Sequence, residues 1–302
     1  MKKNNITFTF LIFSLLFIFG TSCKKKTEHQ PSESIVNINE PPVEGVDYFL
    51  PHIDLNHWKV TLPVGDSGPT EVKPPEILNY ATNSELQDFM YNDSTDGSLV
   101  FYTYPGGATT TNSSYPRTEL REQMVPGSNN TNWTFAQGGN IKGTLSVPEM
   151  SKDANGDFHR SIIMQIHGRL TNDQRDQIGA SDNNAPPVLK IYWTDGKVRV
   201  KTKVLNDLNA SNTEILETSA WGDDDGFNFS ENVGTDKFIL EVKVSEGRME
   251  VILNDDESKV YDDIHMQKWG VFENYFKAGN YLSSTDENAF AKVKYFNLEV
   301  NH

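Results

Sequence analysis

The segment Val188-Leu189-Lys190-Ile191-Tyr192-Trp193-Thr194-Asp195-Gly196-Lys197-Val198-Arg199-Val200-Lys201-Thr202-Lys203-Val204 carries its own secondary structure in its spacing. In the second half Val198, Val200 and Val204 lie on one side and Lys197, Arg199, Lys201 and Lys203 on the other, the period of two that belongs to a half-buried strand. Asp195-Gly196 accepts the positive φ angles of a tight reversal, so Val188 to Trp193 returns into Lys197 to Val204 as an antiparallel hairpin.

The same signature recurs on both sides of this segment. Phe238, Leu240, Val242 and Val244 face away from Lys237, Glu241 and Lys243, and this run returns through Glu246-Gly247 into Arg248 to Leu253. Trp58, Val60 and Leu62 alternate with Lys59 and Thr61; Ile141, Leu145 and Val147 share one parity. No long stretch keeps a 3.6-residue period. One short helix is predicted near Ser84 to Met90, with Ser84 as cap and Leu86, Phe89 and Met90 as its apolar side. There is no internal repeat. At 36% hydrophobic and 302 residues the chain has enough apolar material for one large core. Many short antiparallel strands predict an all-β fold, a jelly-roll sandwich of two antiparallel sheets with an open cleft on the concave face.

The N-terminal part reads differently. Lys2 and Lys3, an apolar block from Ile6 to Phe19 and the small residues Gly20-Thr21-Ser22 form a signal peptide over residues 1–22, too short in its apolar part to span a membrane well. Cys23 is the only cysteine, so no intramolecular disulfide is possible. Placed directly after the leader and before Lys24-Lys25-Lys26, it resembles the lipid-modified first residue of a bacterial lipoprotein, although Phe19-Gly20-Thr21-Ser22 is a loose lipobox without the usual Leu. Residues 23–46, polar and with Pro41-Pro42, read as a flexible tether, and residues 47–302 as the catalytic domain. Expected localisation is therefore export, lipid-anchored to a bacterial cell membrane or secreted. The formal net charge of −15 becomes more negative once Lys2 and Lys3 leave with the signal peptide, which argues against nucleic acid as a partner. A polyanionic ligand would need a local cationic cleft.

Three segments supply one. In Ser161-Ile162-Ile163-Met164-Gln165-Ile166-His167-Gly168 the even positions Ile162, Met164 and Ile166 make an apolar face and leave Gln165 and His167 together on the other. In Tyr115-Pro116-Arg117-Thr118-Glu119-Leu120-Arg121-Glu122 the same parity groups Arg117, Glu119 and Arg121. In Tyr275-Phe276-Lys277-Ala278-Gly279-Asn280-Tyr281-Leu282 it groups Tyr275, Lys277, Gly279 and Tyr281, with Gly279 leaving room for a ligand. Each alone is compatible with a solvated face or a satisfied polar pair. Together they present cations, an amide, an imidazole and a phenol.

These segments resemble the three motifs of the alginate lyases of polysaccharide lyase family 7: Arg-Ser/Thr-Glu-Leu-Arg, Gln-Ile/Val-His and Tyr-Phe-Lys-Ala-Gly-x-Tyr, in that order. The likeness runs from Trp58-Lys59-Val60-Thr61-Leu62-Pro63 to the last strand, Ala291 to Val300. One position departs from the family pattern: Ser283 stands where a Gln commonly follows the final Tyr.

The resemblance implies β-elimination from alginate, a chain of mannuronate and guluronate. A C5 proton is removed and the C4 oxygen expelled, leaving an unsaturated uronate end. The adjacent carboxylate must first be neutralised, a task for the Arg117 guanidinium and the Gln165 amide. By the same resemblance Tyr281 is base and acid in syn elimination from mannuronate, whereas His167 is the base and Tyr281 the acid for guluronate. Glu119, Arg121 and Lys277 are assigned to substrate binding, with Glu119 also holding the two arginines. Ile166 between Gln165 and His167 is associated with guluronate-containing blocks.

Other residues read more blandly. The row Lys197, Arg199, Lys201 and Lys203 reads first as a solvated outer face, with electrostatic extension of the cleft as the alternative. Asp223-Asp224-Asp225 reads as an exposed acidic loop rather than a calcium site. The elimination requires no metal or cofactor, and a monomer is expected. The rivals are a non-catalytic carbohydrate-binding module, a structural surface lipoprotein with a vestigial site, and a jelly-roll glycoside hydrolase. The last would need two placed carboxylates, and no Glu-x-Asp-x-x-Glu strand supplies them.

Overall fold

The computed structural model describes residues 51–302. The expected signal peptide, the tether and Cys23 lie outside the described residues. In chain order come strands β1 (His52–Ile53), β2 (Trp58–Thr61), β3 (Glu71–Val72), β4 (Met90–Asp93), β5 (Ser98–Thr103), β6 (Arg117–Glu122), β7 (Trp133–Thr134), β8 (Gly139–Met150) and β9 (Arg160–Arg169). Helix α1 (Asn172–Ile178) is followed by β10 (Asn184–Thr194), β11 (Lys197–Leu205), β12 (Trp221–Asp223), β13 (Phe227–Asn232), β14 (Phe238–Ser245), β15 (Arg248–Leu253) and β16 (Glu257–Tyr261). Helix α2 (Ile264–Trp269) precedes β17 (Glu273–Leu282) and β18 (Ala291–Asn301).

The strands form two sheets. One has the order β16-β15-β14-β8-β18-β5-β4 with β1 beside β18; the other has the order β12-β11-β10-β9-β17-β6-β2-β3 with β13 beside β11 and β7 beside β17. Pairing is antiparallel except between β1 and β18. Partners such as β9 and β17, or β8 and β18, are remote in sequence, which is the crossed wiring of a jelly roll.

The alternation seen in the sequence fills the space between the sheets. Val60, Leu120, Met164, Ile166, Ile191, Phe276 and Ala278 come from one sheet, and Phe101, Ile141, Leu145, Leu240, Val242 and Tyr295 from the other; all are fully buried. Each large apolar side chain so buried contributes about 1.5–3 kcal/mol. Both predicted hairpins form: Thr194 pairs with Lys197 across Asp195 and Gly196, whose φ angles are 49° and 76°, and Ser245 pairs with Arg248.

Two expectations are corrected. The helix near Ser84 to Met90 is a run of turns: Leu86 N–H donates to the Asn83 carbonyl, and Met90 is drawn into β4 opposite Phe101. Leu86 and Phe89 are buried as expected, but the end of the segment pairs in the sheet instead of continuing a helix. The ordered helices lie elsewhere. α1 opens on a reciprocal capping box between Thr171 and Gln174 and closes on Gly179 at φ 68°; α2 opens on the Asp263 side chain.

The second correction concerns Ile162. Opposite Met164 stands Ala278 and opposite Ile162 stands Tyr281, so three residues of β17 span two of β9. Against β10 the extra residue lies in β9, where Met164 to Ile162 spans Ile191 to Tyr192 and sets Ile162 beside Tyr192. Through this bulge Ile163 joins Met164 and Ile166 in the core, and Ile162 crosses to the opposite face.

Candidate active site

The face of the ten-stranded sheet turned away from the core, here the cleft face, collects the three sequence segments on adjacent strands. Lys277 pairs with Arg121 of β6 on one side and with Gln165 of β9 on the other; Tyr281 pairs with Arg117, and Tyr275 with His167. Paired residues in an antiparallel sheet point to the same face. The shared parity of the three segments therefore becomes physical adjacency.

Glu119 is the hub. It is 1% exposed, and its carboxylate accepts from the Gln165 amide, from Lys277 Nζ and, at 3.3 Å, from Arg117 Nη1. With both oxygens engaged inside the protein, it anchors the residues around it. Arg121, expected to share this carboxylate, is held instead by the Glu122 carbonyl at 2.6 Å, Asn132 Oδ1 at 2.8 Å and the Asn129 carbonyl at 3.2 Å.

The two guanidiniums each cover a phenol. Arg117 Cζ lies 3.8 Å from the centroid of Tyr281, and Arg121 Cζ 4.0 Å from that of Tyr275. A cation over a ring face is attracted by the ring quadrupole, which fixes both partners. Arg117 keeps one buried donor, Nε, with no partner. An unpaired buried donor is unfavourable in isolation and well suited to an incoming carboxylate.

His167 stacks on Tyr275, with ring centroids 5.2 Å apart and an 11° interplanar angle. Its Nδ1 lies 3.0 Å from the Gly168 carbonyl. A carbonyl only accepts, so Nδ1 carries the hydrogen; in the neutral ring Nε2 then has a free lone pair. Burial, reinforced by the neighbouring Lys277, Arg117 and Arg121 charges, pushes the His167 pKa down to about 3. The imidazole is thus neutral at any ordinary working pH. Burial also lowers Lys277, to about 8, against the opposing pull of Glu119.

Tyr281 is partly exposed, and its hydroxyl meets Ser113 Oγ at 2.5 Å. Ser113 sits in the loop before β6, where its Oγ also accepts from Tyr115 N–H at 3.1 Å and lies 3.3 Å from the Tyr115 carbonyl. The serine can donate to a phenolate or accept from a phenol by rotating one hydrogen. Sequence reasoning did not single out Ser113, whose only signal is its place in the loop leading to Tyr115-Pro116-Arg117.

Gly279 answers to a different neighbour than expected. A Cβ there would lie 2.7 Å from the Thr118 carbonyl oxygen, and its φ is 131°. The close approach is that of β6, not of a ligand.

The lysine row is also reassigned. Lys190 pairs with Gln165, and Lys201 with Lys190, so Lys59, Arg121, Lys277, Gln165, Lys190 and Lys201 form one register-matched line across six strands of the cleft face. The valines opposite Lys197, Arg199 and Lys201 fill the core, which leaves these cations on the side of the site. Asp223 and Asp225 are exposed as expected, but the loop is engaged: Asp223 pairs with Lys190 and Lys203, and Asp224 accepts from Thr202 N–H and Oγ1. No cluster of metal-ligating side chains occurs among the described residues.

Known proteins resemble this chain in sequence and fold. The sequence model of a family described as alginate lyase matches residues 53–302. Among solved structures, a Tyr-to-Phe variant of family 7 alginate lyase A1-II′ in complex with product GGG is 29% identical, with a TM-score of 0.66 over 83% of this chain and 97% of its own. A His-to-Asn and Tyr-to-Phe double variant of the same enzyme, in complex with substrate GGMG, is 28% identical, with a TM-score of 0.63 over 83% and 94%. The alginate lyase PA1167 from Pseudomonas aeruginosa, 21% identical with a TM-score of 0.60 over 83% and 100%, shares the fold. No curated protein matches in sequence.

Proposed function

Because this chain belongs to the alginate lyase family, and so is a polysaccharide lyase acting on alginate, we propose that Arg117, Gln165, His167 and Tyr281 carry out its β-elimination. The observation that carries the assignment is the convergence of these four on neighbouring strands around the Glu119 hub, with one unpartnered Arg117 donor.

The substrate carboxylate lies against Arg117 and the Gln165 amide, whose donors gain strength as charge moves onto it when the C5 proton leaves. Neutral His167, its Nε2 free, takes that proton from guluronate. Tyr281 gives its proton to the departing C4 oxygen, and for mannuronate it first serves as the base itself. Ser113 supports both forms of the phenol. Arg121 and Lys277 bind flanking carboxylates; Glu119 positions them rather than touching sugar. A preference for guluronate-containing blocks is supported by Ile166 and by the GGG and GGMG complexes of the related enzyme.

Incubation with alginate is expected to give unsaturated uronate ends that absorb in the far ultraviolet; saturated products would sink the lyase mechanism. Tyr281→Phe should remove roughly 10²- to 10⁴-fold of the rate without unfolding the protein. His167→Asn should slow guluronate blocks more than mannuronate blocks, and equal losses on both would remove His167 as the epimer-specific base.

The same reading makes Cys23 the lipidated first residue of an exported protein, on the strength of the apolar block from Ile6 to Phe19 and the polar tether behind it. Incorporation of labelled fatty acid that persists in Cys23→Ser would overturn it.

A further inference from the structure

Two lysines of the cleft face close on an internal carboxylate. Asp223, at the end of edge strand β12, is the register partner of Lys203. Lys203 Nζ lies 2.7 Å from one Asp223 oxygen and Lys190 Nζ 2.8 Å from the other, so a single carboxylate bridges both cations. The lysine side chains are 14% and 16% exposed and that of Asp223 is 33% exposed: two largely covered donors hold an acceptor that water can reach. Burial pushes the Asp223 pKa up, but the two lysines outweigh it and hold it below the usual carboxylate range.

Position makes this triad more than a surface ion pair. Lys190 stands directly beside Gln165 in the register, one strand from the reacting centre. Lys201, partly exposed, is its next neighbour outward and has no ion-pair partner among the described residues. A uronate chain lying along the line from Arg121 past Gln165 would meet Lys190 next.

We propose that Lys190 and Lys203 form a further subsite for a uronate carboxylate, with Asp223 as its resident competitor. The inference rests on the alginate reading above. In the free protein Asp223 satisfies two cations that would otherwise be poorly solvated. When a polyuronate arrives, one carboxylate replaces another on the same N–H donors, and Asp223, on an edge strand, turns to water. Its charge then opposes the bound chain from a few ångströms away. Binding of long chains is weakened and their release eased, while short oligomers held at the reacting centre alone are unaffected.

The test compares the full chain with Asp223→Asn on polymeric alginate and on a trimeric uronate, at low and high salt. The polymer KM of Asp223→Asn is expected to fall roughly threefold, the scale of a partly exposed ion pair, and the gain should vanish on the trimer and at high salt. Lys190→Gln and Lys203→Gln should each raise the polymer KM and cancel the gain in combination. An unchanged polymer KM in Asp223→Asn, with the lysine variants only lowering the melting temperature, makes the triad structural and overturns the proposal. If Asp223→Asn does not fold, the lysine variants decide alone: an unchanged polymer KM in both overturns it. Absence of unsaturated products from the natural chain, read in the same assay, would instead strike the alginate reading.

Discussion

The two outward faces of the sandwich use the same charged residue types to opposite effect. On the eight-stranded sheet Lys142 with Glu241 and Asp255, Lys292 with Glu149, and Lys294 with Asp93 and Asp96 are pairs with at least one partner well exposed or near solvent. Such pairs contribute about 0–1 kcal/mol and weaken in salt. On the ten-stranded sheet Arg117, Glu119, Arg121, Gln165 and Lys277 are all below 10% exposed, and Arg117, Gln165 and Lys277 share the Glu119 carboxylate. There Arg117 and Lys277 depend on one carboxylate, and removing it costs about 3–5 kcal/mol because the partners are left buried and alone. The comparison teaches that a charged strand face is not a category. What separates a solvated face from a reacting one is whether the charges are shielded and interlocked.

The sharpest way to break the contrast is a matched pair of substitutions. Glu119→Gln should destabilise the protein by about 3–5 kcal/mol and abolish activity, because Lys277 and Arg117 lose their common acceptor. Glu149→Gln, on the other face, where the carboxylate is well exposed, should cost under about 1 kcal/mol and leave product formation intact. Denaturant midpoints and the unsaturated-end assay read both; similar losses at the two sites would erase the distinction between the faces.

A smaller effect comes from pH. Lys277, lowered to about 8 by burial, loses its charge in the free enzyme as pH rises through that value, so KM for alginate should climb above pH 8. Lys277→Arg, whose guanidinium stays charged, should flatten that limb. His167 acts on stability, at the acid end of the range: its folded pKa of about 3 lies below the usual 6.5. The unfolded chain therefore takes up a proton first as pH falls, and stability is lost progressively from about pH 6.5 towards 3. His167→Asn should remove that slope.

The smallest effect is expected at Ser113. Removing its hydroxyl in Ser113→Ala takes away one hydrogen bond to Tyr281, on the order of 0.5–1.5 kcal/mol, hence a several-fold loss in kcat. The loss should be larger on mannuronate, where the proposed mechanism uses the phenol in both protonation states. A shift in the pH profile of kcat separates this role from simple packing, and Ser113→Thr should restore most of it.

Parity carried far in the sequence. It set Leu120, Met164, Ile166 and Phe276 in the core and brought Arg117, Gln165, His167, Lys277 and Tyr281 to one face, because a strand leaves a side chain only two directions. It failed where the ladder slips, at Ile162 and Ile163, since a bulge is decided jointly by β9, β10 and β17 and leaves no mark in β9 alone. It was silent on which sheet face the Lys197 to Lys203 row shares, as face identity belongs to the pairing partners. Ser113, Asn129 and Asn132 reach the site from loops with no period at all. Helix α1, with its Thr171 to Gln174 capping box, was not predicted, because at seven residues it shows little amphipathic pattern.

The line from Lys59 through Gln165 to Lys201 crosses the strands instead of following one. Its repeat is therefore set by backbone hydrogen bonding, ~4.8 Å from strand to strand, and no point mutation can stretch or compress it. Substitutions alter which groups stand on the rungs, never the interval between them. The sheet is in this sense a ruler whose graduation is written in the main chain, and recognition of a longer polymer grows by adding strands at its edges.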